Sequence, residues 1–215
     1  MSQLLCQLSA LAFYSLYLLA EPLQVCCFTG IRLSKALMIP LVPARDDESN
    51  QLWLIPDPLK ELPGPRFFTV ADSGWLKYHL ESPPLIPKLK EDISLHPDIL
   101  ELVREAQWKS VVQNVQWLLK KKKASFDFSL DNNSCVDLVL RLGDPQQQEQ
   151  QLAKDDEIAN VCKEKNIYYR HLSKKLDVLE QLTSHNNGWM MGCFRSYGTC
   201  QLLAEIEKAN HLEKD

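Results

Sequence analysis

The sequence predicts an α+β fold, in which a small antiparallel sheet with hairpins is covered by a long helix and followed by a heptad-like helix and a C-terminal amphipathic helix. Eleven of the 12 prolines lie between Pro22 and Pro97, where they interrupt helices and favour short strands joined by turns. Apolar residues recur at helical spacing after Pro97, and a two-residue alternation occupies residues 125–142. Strands are therefore expected mainly before Pro97, and helices together with one hairpin after it.

The chain has 215 residues, of which 45% are apolar and 24% are charged, a balance typical of a folded protein rather than of a disordered or collagen-like one. A net charge of -4 gives no overall attraction to nucleic acid or acidic lipid, although a local basic patch can still bind either. We divide the chain into an apolar N-terminal helical segment with its connector (1–44), an α+β core (45–145) and a helical C-terminal region (146–215).

The first 20 residues carry no charged side chain. A signal peptide begins with basic residues, and none precedes the apolar run here. A membrane span needs about 20 mainly apolar residues, and glutamines and serines interrupt this stretch. We therefore interpret the segment as a buried core helix, with a signal or anchor sequence as the alternative.

Three short strands are predicted in the proline-rich half. Residues 51–55 and 66–70 are rich in aromatic and branched side chains and are bounded by prolines or polar residues. A turn at 71–74 leads to a third predicted strand, 75–80, in which leucine and tyrosine alternate with lysine and histidine. The proline pair within 82–87 predicts an extended connector.

One long helix and one hairpin are predicted next. Pro97 suits a first helical position, and the lysines at 120–123 suit the negative end of the helix dipole, so a single helix connects the two signals and covers the sheet. The alternating residues of 125–142 surround a polar turn at 131–134. They predict a β-hairpin with one buried face.

Two further helices are predicted in the C-terminal region. In the first, apolar residues recur in alternating steps of four and three, although Lys165 occupies one of the expected apolar positions. This seam packs either inside the monomer or against a partner as a coiled coil. An Asn-Asn-Gly stop at 186–188 ends the helix, and the last helix is expected over 200–212. The seam consists of Ile158, Cys162, Tyr169, Leu172, Leu176 and Leu179.

The motifs of common enzyme classes are missing from the sequence. The 7 glycines form no phosphate-binding loop and no nucleophile elbow, and the 5 histidines never stand four residues apart. We therefore predict no catalytic residue, no cofactor and no metal site, although cysteine catalysis stays open. The 7 cysteines form no C-x-x-C pair, so free thiols are expected. Cys135 and Cys162 are interpreted as small buried hydrophobic residues.

Two features indicate binding partners. The first is a basic tetrad, typical of a nuclear import signal and equally suited to phosphate contacts or to a solvated helix end. The second is the block 188–198, whose aromatic, methionine and arginine residues are enriched at interfaces but could also fold back on the core. Candidate import residues are Lys120, Lys121, Lys122 and Lys123, and candidate partner-binding residues are Tyr169, Leu172, Leu176, Leu179, Trp189 and Phe194.

These observations favour a non-catalytic subunit or adaptor of a multiprotein complex in the nucleus or cytoplasm. We expect it to bind a protein partner, or a second copy of itself, through its C-terminal helices. Nucleic acid would be bound only through the lysine patch, and no membrane partner is expected. The alternatives are a small enzyme without a recognisable motif and a membrane-anchored or secreted protein that uses the uncharged N-terminus.

Overall fold

A computed structural model describes residues 10–46, 50–80, 93–126, 130, 136–142, 149–172 and 190–213 of the chain. The α+β class is confirmed, with helices and with sheets that mix antiparallel and parallel pairs. Several predicted features lie outside the described residues: the connector 82–87, the turn 131–134, the stop 186–188, Cys135, Leu176, Leu179 and Trp189.

The described part contains five α-helices and ten strands. The helices are α1 (Ala10–Ala20), α2 (Ser73–His79), α3 (Ile99–Lys120), α4 (Glu149–Glu164) and α5 (Tyr197–Leu212). The strands are β1 (Leu23–Val25), β2 (Arg32–Ser34), β3 (Met38–Arg45), β4 (Leu52–Pro56), β5 (Phe67–Val70), β6 (Ile93–Leu95), β7 (Ala124–Ser125), β8 (Val136–Leu142), β9 (Tyr168–Leu172) and β10 (Met190–Phe194).

The chain forms two compact units that interleave along the sequence, whereas the predicted division has three consecutive segments. We call the first the proline-rich unit, which comprises Leu18–Val111 and Ala204–Asp215. The second is the lysine-tetrad unit, which comprises Met1–Tyr17 and Val112–Leu203.

The proline-rich unit is built on a four-stranded sheet of order β5-β3-β4-β6. Strand β3 pairs antiparallel with β4 and β5, whereas β6 joins β4 in parallel, and β1 and β2 form a separate antiparallel ribbon. Its core joins strand residues to the first turns of α3 and to the end of α5. Prominent members are Ile39, Leu41, Leu54, Leu76, Ile99, Val103 and Leu212.

The predicted third strand at 75–80 is wrong, because residues Ser73–His79 form helix α2. Asp72 has an extended backbone, and its carboxylate accepts a hydrogen bond from the Trp75 amide at 2.9 Å. An aspartate in this position caps a helix N-terminus, because it satisfies an amide that has no helical partner. Leu76 and His79 are both buried, three residues apart as on one side of a helix. The alternation in the sequence instead predicted that leucine and tyrosine would share the buried face.

The lysine-tetrad unit is built on a second four-stranded sheet, of order β7-β10-β8-β9. Strand β10 pairs antiparallel with both β7 and β8, and β9 joins β8 in parallel. The predicted hairpin of residues 125–142 is corrected for the described strands, because β10 lies between β7 and β8. Strand β8 is also buried at six of its seven positions, since neighbours cover both of its faces.

The predicted heptad-like helix ends at Glu164, before the seam is complete. The Ile167 amide donates to the Cys162 carbonyl at 2.8 Å and the Asn166 amide to the Lys163 carbonyl at 3.3 Å, with Asn166 at a φ of 54°. This is a Schellman stop with asparagine in the left-handed position. The aromatic and branched residues that follow favour a strand, and they form β9.

The last helix, α5, begins at Tyr197, three residues before its predicted start. Ser196 caps it, because its hydroxyl accepts a hydrogen bond from the Thr199 amide at 3.1 Å. The long helix α3 over Ile99–Lys120 agrees closely with the prediction.

Candidate interaction surfaces

One face of helix α1 is fixed by aromatic contacts. Phe13, Tyr14 and Tyr17 lie on the same side of the helix, and each ring contacts a residue of the lysine-tetrad unit. The contacts are Phe13 with the Arg195 guanidinium (5.7 Å), Tyr14 with the Tyr168 ring (5.8 Å, edge to face) and Tyr17 with the Tyr197 ring (5.0 Å, edge to face). These contacts set which side of α1 faces the protein.

The opposite side of α1 carries leucines that are open to solvent. Leu11 is 62% exposed, Leu16 50% and Leu19 82%. At 3.6 residues per turn these positions fall within an arc of about 140°, and we call them the leucine face. The prediction of a buried core helix is therefore wrong for this side. An apolar composition all around the helix could not show which side is exposed.

The leucine face contains no charged group, because no charged residue occurs between Ala10 and Ala20. Its hydroxyl, that of Ser15, donates a hydrogen bond to the Leu11 carbonyl at 2.9 Å, so it is satisfied within the helix. The face can therefore offer apolar contact but neither ion pairing nor acid–base chemistry.

The predicted partner-binding residues that the structure describes are buried or half-buried. Tyr169 and Leu172 lie on strand β9, and Leu172 is fully buried. Tyr169 and Phe194 pack against a core cluster of Val136, Val139 and Cys162. Ile158, also from the seam, packs against the same cluster. In the described residues, Ile158, Tyr169 and Phe194 therefore make internal contacts, and partner binding by the seam stays a prediction.

The lysine tetrad is exposed at the end of α3. Lys120 is the last helical residue, and the turn after it is another Schellman stop, with the Lys123 amide donating to the Leu118 carbonyl (2.8 Å) and the Lys122 amide to the Leu119 carbonyl (3.0 Å). Lys122 holds the left-handed position at a φ of 54°. The backbone of the tetrad is therefore ordered by hydrogen bonds while its four side chains point into solvent.

An exposed aromatic residue lies one turn before the tetrad. Trp117 is 47% exposed, and its carbonyl accepts a hydrogen bond from the Lys121 amide at 2.9 Å. On its other side it packs against Gly198, where an added Cβ would lie only 2.6 Å from the ring atom Cζ3. Glycine at this position lets α5 approach the indole closely. Tyr197, next to Gly198, is also exposed.

A buried ion pair ties β8 to the start of α5. The Arg195 guanidinium donates three hydrogen bonds of 2.7–3.0 Å to the two carboxylate oxygens of Asp137. Nearby, burial raises the pKa of the Cys200 thiol to about 12, and the negative charge of Asp137 acts in the same direction. This structural contact could not be predicted from sequence patterns, because the two residues are 58 positions apart in the chain.

A second buried polar cluster joins α3 and α5 within the proline-rich unit. The Lys208 ammonium donates to Glu205 Oε1 at 2.9 Å and to the Met38 carbonyl at 3.4 Å. Gln107 donates to the Glu205 carboxylate and to the Glu205 carbonyl. A buried lysine is a candidate nucleophile in many enzymes, but this ammonium is occupied by a carboxylate and a carbonyl, as in a structural ion pair.

The described thiols are buried and free. Burial raises the pKa of Cys27 and Cys193 to about 12, and it also raises the pKa of Cys162. At Cys26 burial raises the pKa, but hydrogen bonds from the Thr29 side chain and backbone amides outweigh it, so that the pKa is lowered. The Cys26 side chain is nevertheless closed to solvent, so a substrate could not reach it in this conformation.

No group of three or more metal-binding side chains comes together among the residues with described positions. No helix in that part of the chain has the length and apolar character to cross a membrane. Comparisons with protein-family models, with curated proteins and with solved structures gave no match. The surfaces described above are therefore the basis for a functional proposal.

Proposed function

We propose that the protein is a non-catalytic subunit or adaptor of a multiprotein complex in the nucleus or cytoplasm, and that it binds a partner protein through the leucine face of α1. The observation that carries the proposal is an uncharged helix with one side fixed by aromatic contacts and three leucines exposed on the other. Apolar residues at this spacing are typical of a helix that lies in an apolar groove of another protein.

The exposed area is large enough to support binding. The exposed fractions of Leu11, Leu16 and Leu19 together equal roughly two complete leucine side chains. Complete burial of a leucine contributes about 1.5–3 kcal/mol, so burial of this face would contribute about 3–6 kcal/mol before ordering costs. That free energy corresponds to roughly two to four powers of ten in affinity.

The charge of the helix favours a protein groove over a membrane surface. Helices that lie on membranes usually carry lysines and arginines along their polar side, where they contact anionic headgroups. Helix α1 has no charged residue on any side. A preformed apolar groove requires no such charges.

The test replaces Leu16 and Leu19 together by glutamine, which is polar but a good helix former. A photo-crosslinking residue at Ser15 identifies what contacts the face in cells, and the partner is then purified for direct binding. We expect the double variant to fold normally and to lose at least tenfold in affinity. Leu62→Gln, at an exposed leucine outside the helix, is the matched control and should bind normally.

Three outcomes would contradict the proposal. Loss of folding in the double variant would show that the leucines belong to a core. Equal binding by the double variant and the control would place the partner elsewhere. Self-association of the purified chain that the double variant abolishes would identify a second copy, rather than a different protein, as the occupant of the face.

A further inference from the structure

We propose that the end of helix α3 binds single-stranded nucleic acid, with Trp117 stacking on a base and the lysine tetrad contacting phosphates. This site involves no residue of the leucine face, and it uses a strongly charged feature that the proposed adaptor function leaves unexplained.

The charge of the tetrad is concentrated, and no acidic residue with a described position pairs with it. Lys120, Lys121, Lys122 and Lys123 are all exposed, and none of them forms an ion pair with any residue whose position the structure describes. The sequence from Ala106 to Phe126 contains no acidic residue. Four positive charges therefore act together at one place on a chain whose net charge is -4.

The position of Trp117 turns this charge into a site for a nucleotide. Lys121 directly follows the helix, and its amide still donates to the Trp117 carbonyl at 2.9 Å. The two residues therefore keep a helical spacing of four, which places their Cβ atoms about 5–6 Å apart. One nucleotide could then place its base on the indole and its phosphate against an ammonium. Aromatic rings beside lysines are the usual platform for single strands, because every base has a face that can stack.

The indole is held where it can serve as such a platform. Gly198 leaves room for the ring edge, and any larger residue there would push against it. Tyr197 is exposed beside this contact, and its ring is itself fixed against Tyr17. A second base could stack there. Two ordered, exposed rings next to four lysines would not be required by a simple solvated helix end.

The same geometry favours a single strand over a duplex or an anionic membrane. Bases in a duplex are stacked on one another and present only their edges, so Trp117 could not stack on them. Anionic lipid would engage the lysines but would gain nothing from base stacking. The overall negative charge of the protein also opposes binding that rests on charge alone.

The test measures binding of a fluorescent oligothymidylate of 20 nucleotides by fluorescence anisotropy. A duplex of the same length and vesicles containing phosphatidylserine are measured as comparison ligands. We expect the single strand to bind most tightly. Trp117→Ala should weaken this binding at least fivefold, and Trp117→Phe should restore part of it. The matched control is Trp75→Ala, which removes another exposed tryptophan, one with no run of lysines beside it in the sequence, and should leave binding unchanged.

A second variant tests the phosphate contacts without touching the aromatic residue. Lys121→Gln with Lys123→Gln should weaken binding and lower the slope of log K against log salt by about 1.4, since each contact to a single strand contributes about 0.7. Lys60→Gln with Lys163→Gln removes the same charge from other exposed positions and should leave the slope unchanged. Circular dichroism checks that each variant is folded.

The proposal is overturned if the duplex or the vesicles bind as tightly as the single strand. It is also overturned if Trp117→Ala and Trp75→Ala bind the single strand with equal affinity. The same holds if the two pairs of lysine variants show the same salt slope. If Trp117→Ala fails to fold, the lysine variants and their salt slopes decide the question.

Discussion

The buried pair of Asp137 and Arg195 allows a quantitative test of the lysine-tetrad unit. The side chains are 7% and 13% exposed, and three short hydrogen bonds join them. Asp137→Ala would leave the guanidinium buried without its carboxylate, and Arg195→Ala would leave the carboxylate buried without its cation. Each single change therefore removes a partner and also leaves an uncompensated charge.

The expected loss of stability follows from the uncompensated buried charge. Breaking a buried pair by removing one partner costs about 3–5 kcal/mol. For a chain of this size, each kcal/mol lowers the unfolding temperature by about 2–4 °C, so each variant should unfold at a temperature lower by about 6–20 °C. Asp137→Leu combined with Arg195→Met removes both charges and fills the space with apolar atoms. We expect this double variant to lie within about 1–2 kcal/mol of the unaltered protein.

Urea unfolding followed by far-ultraviolet circular dichroism and by tryptophan fluorescence measures all four proteins. The two signals together show whether the unit unfolds in one step, which the comparison of free energies requires. Single variants that each cost less than about 1 kcal/mol would refute the reasoning, because that is the range of exposed ion pairs. A double variant as unstable as the single ones would likewise show that lost packing, rather than an unpaired charge, causes the damage.

Two further predictions concern pH and location. The ring of His79 stacks on Phe28 and Trp75, and its two nitrogens have no hydrogen-bond partner among the described residues. Burial lowers the pKa of His79, so the neutral form is favoured in the folded state. Its contribution to stability should be complete above about pH 6.5 and lost as the pH falls below that value. In His79→Phe, the urea concentration at the unfolding midpoint should therefore depend less on pH between pH 7.5 and 5.5. An equally steep decrease of that midpoint in the variant would contradict this prediction. Lys121→Gln with Lys123→Gln should reduce nuclear accumulation of a fluorescently tagged chain, and an unchanged distribution would exclude an import role.

The elements that the sequence predicted well are those with signals at both ends. Helix α3 has a proline before its start and lysines at its end, and both signals act locally. Helix α2 is not predicted, because an aspartate followed by a serine and a glycine is also typical of a turn before a strand. The alternation that followed was only six residues long, too short to separate the two periods.

The pairing of strands could not be predicted, because it depends on residues far apart in the chain. Alternation predicts that 136–142 is a strand, but it does not show that β10, about 50 residues later, lies beside it. The prediction of one continuous heptad-like helix is wrong for a related reason. Its first members pack on β8, and the stop at Asn166 breaks the periodicity that the spacing alone suggested.

The candidate surfaces were only partly predictable. The tetrad is visible in the sequence, whereas nothing in the sequence separates Trp117 from the other apolar residues of the helix. Whether that indole is exposed depends on Gly198, which comes some 80 residues later. The leucine face could not be predicted, because α1 is apolar on every side and its sequence cannot show which side the rest of the protein covers.

The strand order of the lysine-tetrad unit also affects how the chain can fold during synthesis. Strand β10 lies in the middle of its sheet although it is the last strand along the chain, and Leu212 belongs to the core of the proline-rich unit. A ribosome must therefore translate residues 190–212 before either unit can be completed. Until then β8 has one open edge, which can pair with other nascent chains, and an early stop codon would leave two unfinished units instead of one folded half.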